Sequence, residues 1–170
     1  MDFQFSSEQK LIQDSTAAMT RRDIIPILKA HPANEPLPKA AMQRILEICA
    51  ALGLTAPRIP EKDGGAGLPA LTLGLMYEQL PPAVGFGVLS HEVTAARIHF
   101  DSTPEQRERF LPDLVAARRI ACTATTEPAG GSDTRAIATR ARRDGNDFIL
   151  DGRKMWISSI SIADLVNVTA

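Results

Sequence analysis

The sequence changes its grammar at residues 118–120, and that change constrains the fold more than any other feature. Up to Arg118 the apolar residues recur every three or four positions, the repeat that gathers them on one face of a helix. From Ile120 onward they alternate, and Asp-Gly pairs punctuate the stretch, as in short strands joined by tight turns. A run of helices followed by a run of strands predicts an α+β fold. Residues 1–118 read as an all-α helical bundle and residues 119–170 as an incomplete antiparallel β domain. At 170 residues with 44% hydrophobic side chains, the chain is long and apolar enough to bury a core.

Within the helical part, Ser6 and Gln9 have capping-box spacing, and Leu11, Ile12, Ser15 and Met19 continue as one face up to an expected break at Pro26. Residues 31–38 carry three prolines and read as a loop. Met42, Ile45, Leu46, Cys49 and Ala50 form the face of a second helix that stops at Gly53. Residues 57–69 hold Asp63-Gly-Gly-Ala-Gly67, which follows prolines instead of a strand and lacks phosphate-loop spacing, so it reads as a connection. A helix over 71–80 follows. Residues 84–100 are apolar on too many sides for a surface helix and are expected in the middle of the bundle. Thr103-Pro-Glu-Gln106 opens the last helix, with Phe110, Leu111, Leu114 and Val115 inward.

Strands are expected at 120–126, 136–142, 148–150, 154–158 and 163–170, with Asp144-Gly145 and Asp151-Gly152 as type I′ hairpin turns. A sheet that ends on such a strand is only begun.

Nineteen basic against twenty acidic side chains give no polyanion-seeking surface, which argues against nucleic acid as a partner. Cys49 and Cys122 lack paired spacing and read as buried free thiols in a reducing compartment. With no basic-then-apolar leader and no apolar run of about 18 residues, a soluble cytoplasmic chain is expected. His91-Glu92 is followed by Ala95 where a zinc-protease helix needs its second histidine, and His31 and His99 lack ligand-spaced partners, so no metal site is expected. Ser132 lacks a nucleophile-elbow context.

Two segments carry the chemistry. Thr123-Ala-Thr-Thr-Glu-Pro-Ala-Gly-Gly-Ser-Asp133 is a hydroxyl-rich strand running into a glycine turn, and Lys154-Met-Trp-Ile-Ser158 carries the single tryptophan. Alone, the first suits an ordinary turn and Trp156 an ordinary core position. Together, hydroxyls from Thr123, Thr125, Thr126 and Ser158 beside an aromatic face suit a flat, polar-edged cofactor such as a flavin.

Thr126-Glu-Pro-Ala-Gly-Gly-Ser-Asp133, Asp151-Gly-Arg-Lys-Met-Trp-Ile-Ser158 and Ala163-Asp164 resemble the signature run of the acyl-CoA dehydrogenase family, commonly TEPxxGSD, NGxKxWITN and AD. Residues 60–68, His91 and residues 103–112 extend the resemblance, which is collinear over the whole chain. It implies FAD-dependent α,β-dehydrogenation of an acyl-CoA thioester to a trans-2-enoyl-CoA, with an electron-transfer flavoprotein reoxidising the cofactor and a homo-oligomer when full length. Acyl-CoA oxidase and flavin monooxygenase siblings share the scaffold. By position, the resemblance puts Thr123, Thr125, Thr126, Gly131, Ser132, Trp156, Ile157 and Ser158 along FAD, and Ser132 also on the thioester ligand. Phe86 and Val88 would shorten the acyl pocket. The family's base lies in a C-terminal helical domain, so no residue here takes that role, and the chain alone is expected to be an inactive N-terminal part. The reading from another class is a non-catalytic module that pairs with a separate C-terminal chain. Departures from the common pattern are Ser158-Ser159 for TN, Thr123 for an aromatic, and Phe100-Asp101-Ser102 for a glycine.

Overall fold

The computed structural model describes residues 4–170. Helix α1 (Ser7–Met19) starts on the expected capping box: Ser6 Oγ accepts the Gln9 N–H at 3.1 Å and Gln9 Oε1 accepts the Ser6 N–H at 2.9 Å. Its buried residues are Thr16 and Met19, while Leu11 faces solvent, against the expected phase. The helical path does not break at Pro26. A π-helical turn, Thr20–Ile24, leads into α2 (Ile25–Lys29), whose first turn holds Pro26 where a missing N–H is tolerated.

Helix α3 (Lys39–Ala50) buries Ala41, Met42, Ile45, Leu46 and Cys49, and the chain turns away at Gly53 with φ +74°. The 57–69 connection is folded tightly on itself: a Cβ on Gly65 would stand 2.1 Å from the Ile59 carbonyl oxygen. Helices α4 (Ala70–Tyr77), α5 (Pro82–Asp101) and α6 (Pro104–Val115) follow, and α6 opens on the expected Thr103/Gln106 capping box.

Helix α5 is the axis of the molecule, packed against α3, α6 and the first strand. It buries Val84, Val88, His91, Glu92 and Thr94 through Ala96. It is not buried all round, however. Phe86 and Leu89 are exposed because that side of α5 faces clefts and not a neighbouring helix, and Phe100 is exposed at its C-terminal end. One core cluster centres on Ile45, Leu46, Leu54, Val84 and Val88, the other on Ile59, Ala95, Leu111, Leu114 and Ala121. Each large side chain so buried contributes roughly 1.5–3 kcal/mol.

Strand β1 (Ala121–Ala124) lies on α5; β2 (Arg140–Asp144) and β3 (Asp147–Asp151) form a hairpin; β4 (Leu165–Val168) returns to β1. The hairpin is antiparallel, with Arg142 opposite Ile149. The β1/β4 pair is parallel, Thr123 opposite Asn167, which departs from a purely antiparallel arrangement. The excursion over 125–164 supplies the crossover that parallel strands require.

The hairpin turn is Gly145-Asn146 and only Gly145 is left-handed (φ +63°), the type II′ pattern in place of type I′. Asp151-Gly152 is not a turn of that kind, since the chain leaves β3 there without doubling back. Residues 136–142 are strand only from Arg140, after a 3-10 turn at Thr134–Ala136 capped by Asp133. Residues 154–158 are not a strand. The left-handed residues Trp156 (φ +59°) and Ser159 (φ +63°) break the two-residue alternation that a strand needs.

Candidate functional site

Six of the residues singled out from the sequence converge on one cleft of about 290 Å³: Thr123, Thr125, Thr126, Trp156, Ile157 and Ser158. The facing wall is α5, through Phe86, Leu89, Ser90 and Val93. Gly131 and Ser132 do not line it. Gly131 backs the cleft from behind, since a Cβ there would meet Thr126 Oγ1 and Cγ2 at 3.2 Å, and Ser132 is exposed in the loop beyond. Val88 lies fully buried in the core, so only Phe86 of the two residues expected to shorten an acyl pocket reaches the cleft.

Hydroxyl groups line the cleft in two states. Thr123 Oγ1 is 2.9 Å from Thr94 Oγ1, which in turn donates to Ser90 O at 2.8 Å, and Thr125 Oγ1 is 2.9 Å from Thr169 Oγ1. These bonds fix the strand to α5 and to the end of β4. The Thr126 and Ser158 hydroxyls, and the backbone N–H groups of Trp156, Ile157 and Ser158, bond to nothing among the described residues. Trp156 is 85% exposed, so it is not the core tryptophan that its residue type alone would suggest. The cleft therefore combines a bare indole with unpaired donors.

What holds the two segments together escaped the sequence reading. Glu127 accepts the N–H groups of Ala138 (2.7 Å) and Thr139 (2.9 Å), the Thr139 hydroxyl, and the Lys154 ammonium at 2.8 Å. Lys154 Nζ also donates to Thr125 O at 3.1 Å, and the Met155 N–H to Thr126 O at 2.9 Å. The Lys154 ammonium first, then the Thr139 hydroxyl and the two amides, depress the Glu127 carboxyl to about 2. Glu and Lys in the two motifs were the available signal, but their meeting requires a chain reversal that no local pattern encodes.

A second polar group sits under β1. His91 is fully buried, with Nε2–H donating to Leu114 O at 2.9 Å and Nδ1 accepting the Ala121 N–H at 3.2 Å, which fixes a neutral tautomer. Burial lowers its pKa. Asp164, of the Ala163-Asp164 pair, accepts the Ile120 N–H at 3.0 Å and pairs with Lys39, tying β4 to β1 and α3. Among the described residues no three His, Cys, Asp or Glu side chains gather as a metal site, and no helix is long and apolar enough to cross a membrane.

Comparison with known proteins matches the same two segments. Residues 6–118 match the acyl-CoA dehydrogenase N-terminal domain and residues 122–170 the acyl-CoA dehydrogenase middle domain. The chain is 31% identical over 169 residues to the long-chain specific acyl-CoA dehydrogenase of Mus musculus mitochondria, covering 98% of this chain and 38% of that protein. Among solved structures, glutaryl-CoA dehydrogenase from Mycobacterium smegmatis superposes with TM-score 0.82 at 32% identity, over 96% of this chain and 42% of the other. The FAD complex of PigA superposes with TM-score 0.85 at 25% identity, over 99% and 44%. The chain thus spans less than half the length of the relatives it matches. With an N-terminal helical part, a small sheet and both domain matches in chain order, this chain belongs to the acyl-CoA dehydrogenase family.

Proposed function

We propose that the chain provides one wall of an FAD site at which an acyl-CoA thioester is dehydrogenated between its α and β carbons. The carrying observation is the Trp156 indole, 85% exposed, set on one cleft with the unpaired hydroxyls of Thr126 and Ser158. A flat ring with polar edges fits that donor set, and relatives solved with FAD or FADH2 support the reading. FAD, when bound, supplies the hydride acceptor. Thr126, Ser158 and the 156–158 amides would donate to its polar edge, while Thr123 ties the strand to α5 and Thr125 ties it to Thr169 beyond β4. Trp156 and Ile157 cover one face and exclude water. Gly131 permits close approach behind Thr126, and the exposed Ser132 hydroxyl is free for a phosphate or thioester oxygen.

Neither nearby glutamate suits the base. Glu127 has its oxygens occupied by four donors and a depressed pKa, and Glu92 is fully buried against Arg58. On the family resemblance the α-proton goes to a carboxylate outside these residues, and the isolated 170-residue chain is then expected not to turn over. An electron-transfer flavoprotein as electron acceptor, a homo-oligomeric whole protein and a cytoplasmic location complete the reading. The two buried free thiols, Cys49 with its pKa pushed up to about 12, fit a reducing compartment.

A second reading, a non-catalytic half that pairs with another polypeptide, draws on the β2/β3 hairpin, whose Phe148, Ile149 and Leu150 are all exposed. Titrating the chain with FAD while following Trp156 fluorescence separates the two. Saturable quenching supports the flavin wall; no quenching and a colourless protein support the second reading. Acyl-CoA-dependent bleaching of the bound flavin by the isolated chain would overturn the statement about the base.

A further inference from the structure

Helix α5 reaches both motif segments of the cleft through hydroxyl groups. Thr94, one turn beyond Ser90 and with no exposed surface, packs against β1. Its Oγ1 is 2.8 Å from Ser90 O and 2.9 Å from Thr123 Oγ1, while Ser90 Oγ makes a longer contact, 3.3 Å, to Ser158 O on the other segment. The pairing of two threonines is open to this chain because Thr123 stands where the family pattern commonly carries an aromatic.

The partners fix the direction of the protons. A carbonyl oxygen only accepts and a hydroxyl has a single proton, so the Thr94 proton goes to Ser90 O, back along the helix by four residues. Thr94 then has nothing left to donate, and the 2.9 Å contact is Thr123 donating to Thr94. Water does not compete at Thr94, which is fully buried. Thr123 thus lines the cleft with its one proton turned away into α5. By contrast, the Thr126 and Ser158 hydroxyls keep theirs free for a ligand.

We propose that Thr94 is a positioning residue for the cofactor cleft: by taking the Thr123 proton it withholds one donor from the flavin, whose polar edge is then met by Thr126, Ser158 and the 156–158 amides. The proposal rests on the flavin reading of the cleft. Its consequence is electrostatic. A donor at that edge holds the reduced ring, which carries the added negative charge, more tightly than the oxidised one. Each donor therefore shifts the cofactor towards its reduced form, and a withheld donor limits that shift. Thr94 sets this balance through Thr123, without touching the cofactor itself.

The test is anaerobic calorimetric titration of the chain with oxidised FAD and with dithionite-reduced FAD. Thr123→Val binds both within about twofold of the parent, because its proton is not used, whereas Thr126→Val weakens binding about threefold to tenfold, the worth of one net hydrogen bond. Thr94→Val keeps the side-chain shape but releases the Thr123 proton to the cleft, and the preference for reduced over oxidised FAD rises about threefold to tenfold. Thr94→Ser, which keeps the hydroxyl, retains the parent's preference. The double variant Thr94→Val/Thr123→Val returns to it, a reversal that a merely structural role for Thr94 would not give. A loss of affinity in Thr123→Val equal to that in Thr126→Val, an unchanged preference in Thr94→Val, or a gain that persists in the double variant overturns the inference and leaves the flavin reading intact. Should Thr94→Val not fold, the comparison of Thr123→Val with Thr126→Val decides alone. A folded parent chain that takes up neither form of FAD overturns both.

Discussion

Lys154 Nζ lies 2.8 Å from Glu127 Oε1 and 3.1 Å from Thr125 O, so one ammonium links the two motif segments that form the cleft proposed for the flavin. Both side chains are largely buried, at 13% and 5% exposure, so the pair holds its geometry by exclusion from water as well as by charge. Removing the ammonium in Lys154→Met leaves Glu127 with its amides and the Thr139 hydroxyl but frees residues 154–158 from the Thr125 carbonyl. FAD affinity falls by about tenfold, the worth of a charge-assisted hydrogen bond. Lys154→Arg restores part of it. Equal FAD affinity in Lys154→Met and the parent, read by flavin fluorescence, would remove the pair from the site's support.

Stability depends on pH through His91. Its folded pKa is lowered, chiefly by burial, so it stays neutral in the fold while the unfolded chain takes up a proton below about 6.5. The unfolded state then binds more protons. The His91 contribution is fully present above about pH 6.5 and is lost as pH falls towards the folded pKa, with a limiting slope of about 1.4 kcal/mol per pH unit for one proton. Glu92, raised by burial, acts in the opposite sense at acid pH, since it keeps a proton in the fold after the unfolded chain has released it. Urea melts of the parent and His91→Gln across pH 5 to 8 isolate the term: the variant has the flatter profile below about 6.5. Glutamine also offers a donor and an acceptor for Leu114 O and the Ala121 N–H. Parallel profiles would refute the assignment.

The helical half was legible because its signals are local. The Ser6/Gln9 and Thr103/Gln106 boxes, the α3 face and the Gly53 stop all act within a turn or two of chain. Leu11 and the open side of α5 differ from expectation because an apolar residue on a helix marks the core only if something packs over it, and hydrophobic period does not say what does. The sheet was harder for a related reason. Strand β1 finds β4 across 125–164, and the 154–158 segment takes its shape from Glu127, Lys154 and the Thr126 carbonyl instead of from its own alternation. Six of the eight candidate residues line one cleft, while Gly131 and Ser132 sit in a loop whose course no periodicity fixes.

Gly152 is placed by close approach. A Cβ there would stand 2.3 Å from Thr139 Oγ1 and 2.7 Å from Thr139 Cα, and the backbone atom cannot swing aside. Gly152→Ala therefore destabilises the fold by about 1–3 kcal/mol, as overpacking does. Because the Thr139 hydroxyl and amide both serve Glu127, the strain also reaches Lys154 and the cleft. A denaturation midpoint equal to that of the parent would show that Thr139 can move freely.

Trp156 sets stability against binding at a single position. Its backbone is left-handed, φ +59°, a conformation that costs a residue with a Cβ roughly 1–2 kcal/mol relative to glycine, and its 85% exposed side chain recovers little of that by burial. Trp156→Gly should therefore be more stable than Trp156→Ala by about 1 kcal/mol, reduced somewhat by the greater chain entropy of unfolded glycine. Both variants lose the aromatic face, so both bind FAD more weakly, by up to about tenfold if stacking contributes as aromatic pairs do. With the only tryptophan gone, flavin fluorescence reports binding and circular dichroism reports unfolding. A glycine variant that gains stability and keeps full FAD affinity would show that Trp156 covers the cleft without touching the cofactor. Loss of affinity in both, with stability ordered Gly above Ala, is the result that the left-handed, solvent-facing indole predicts.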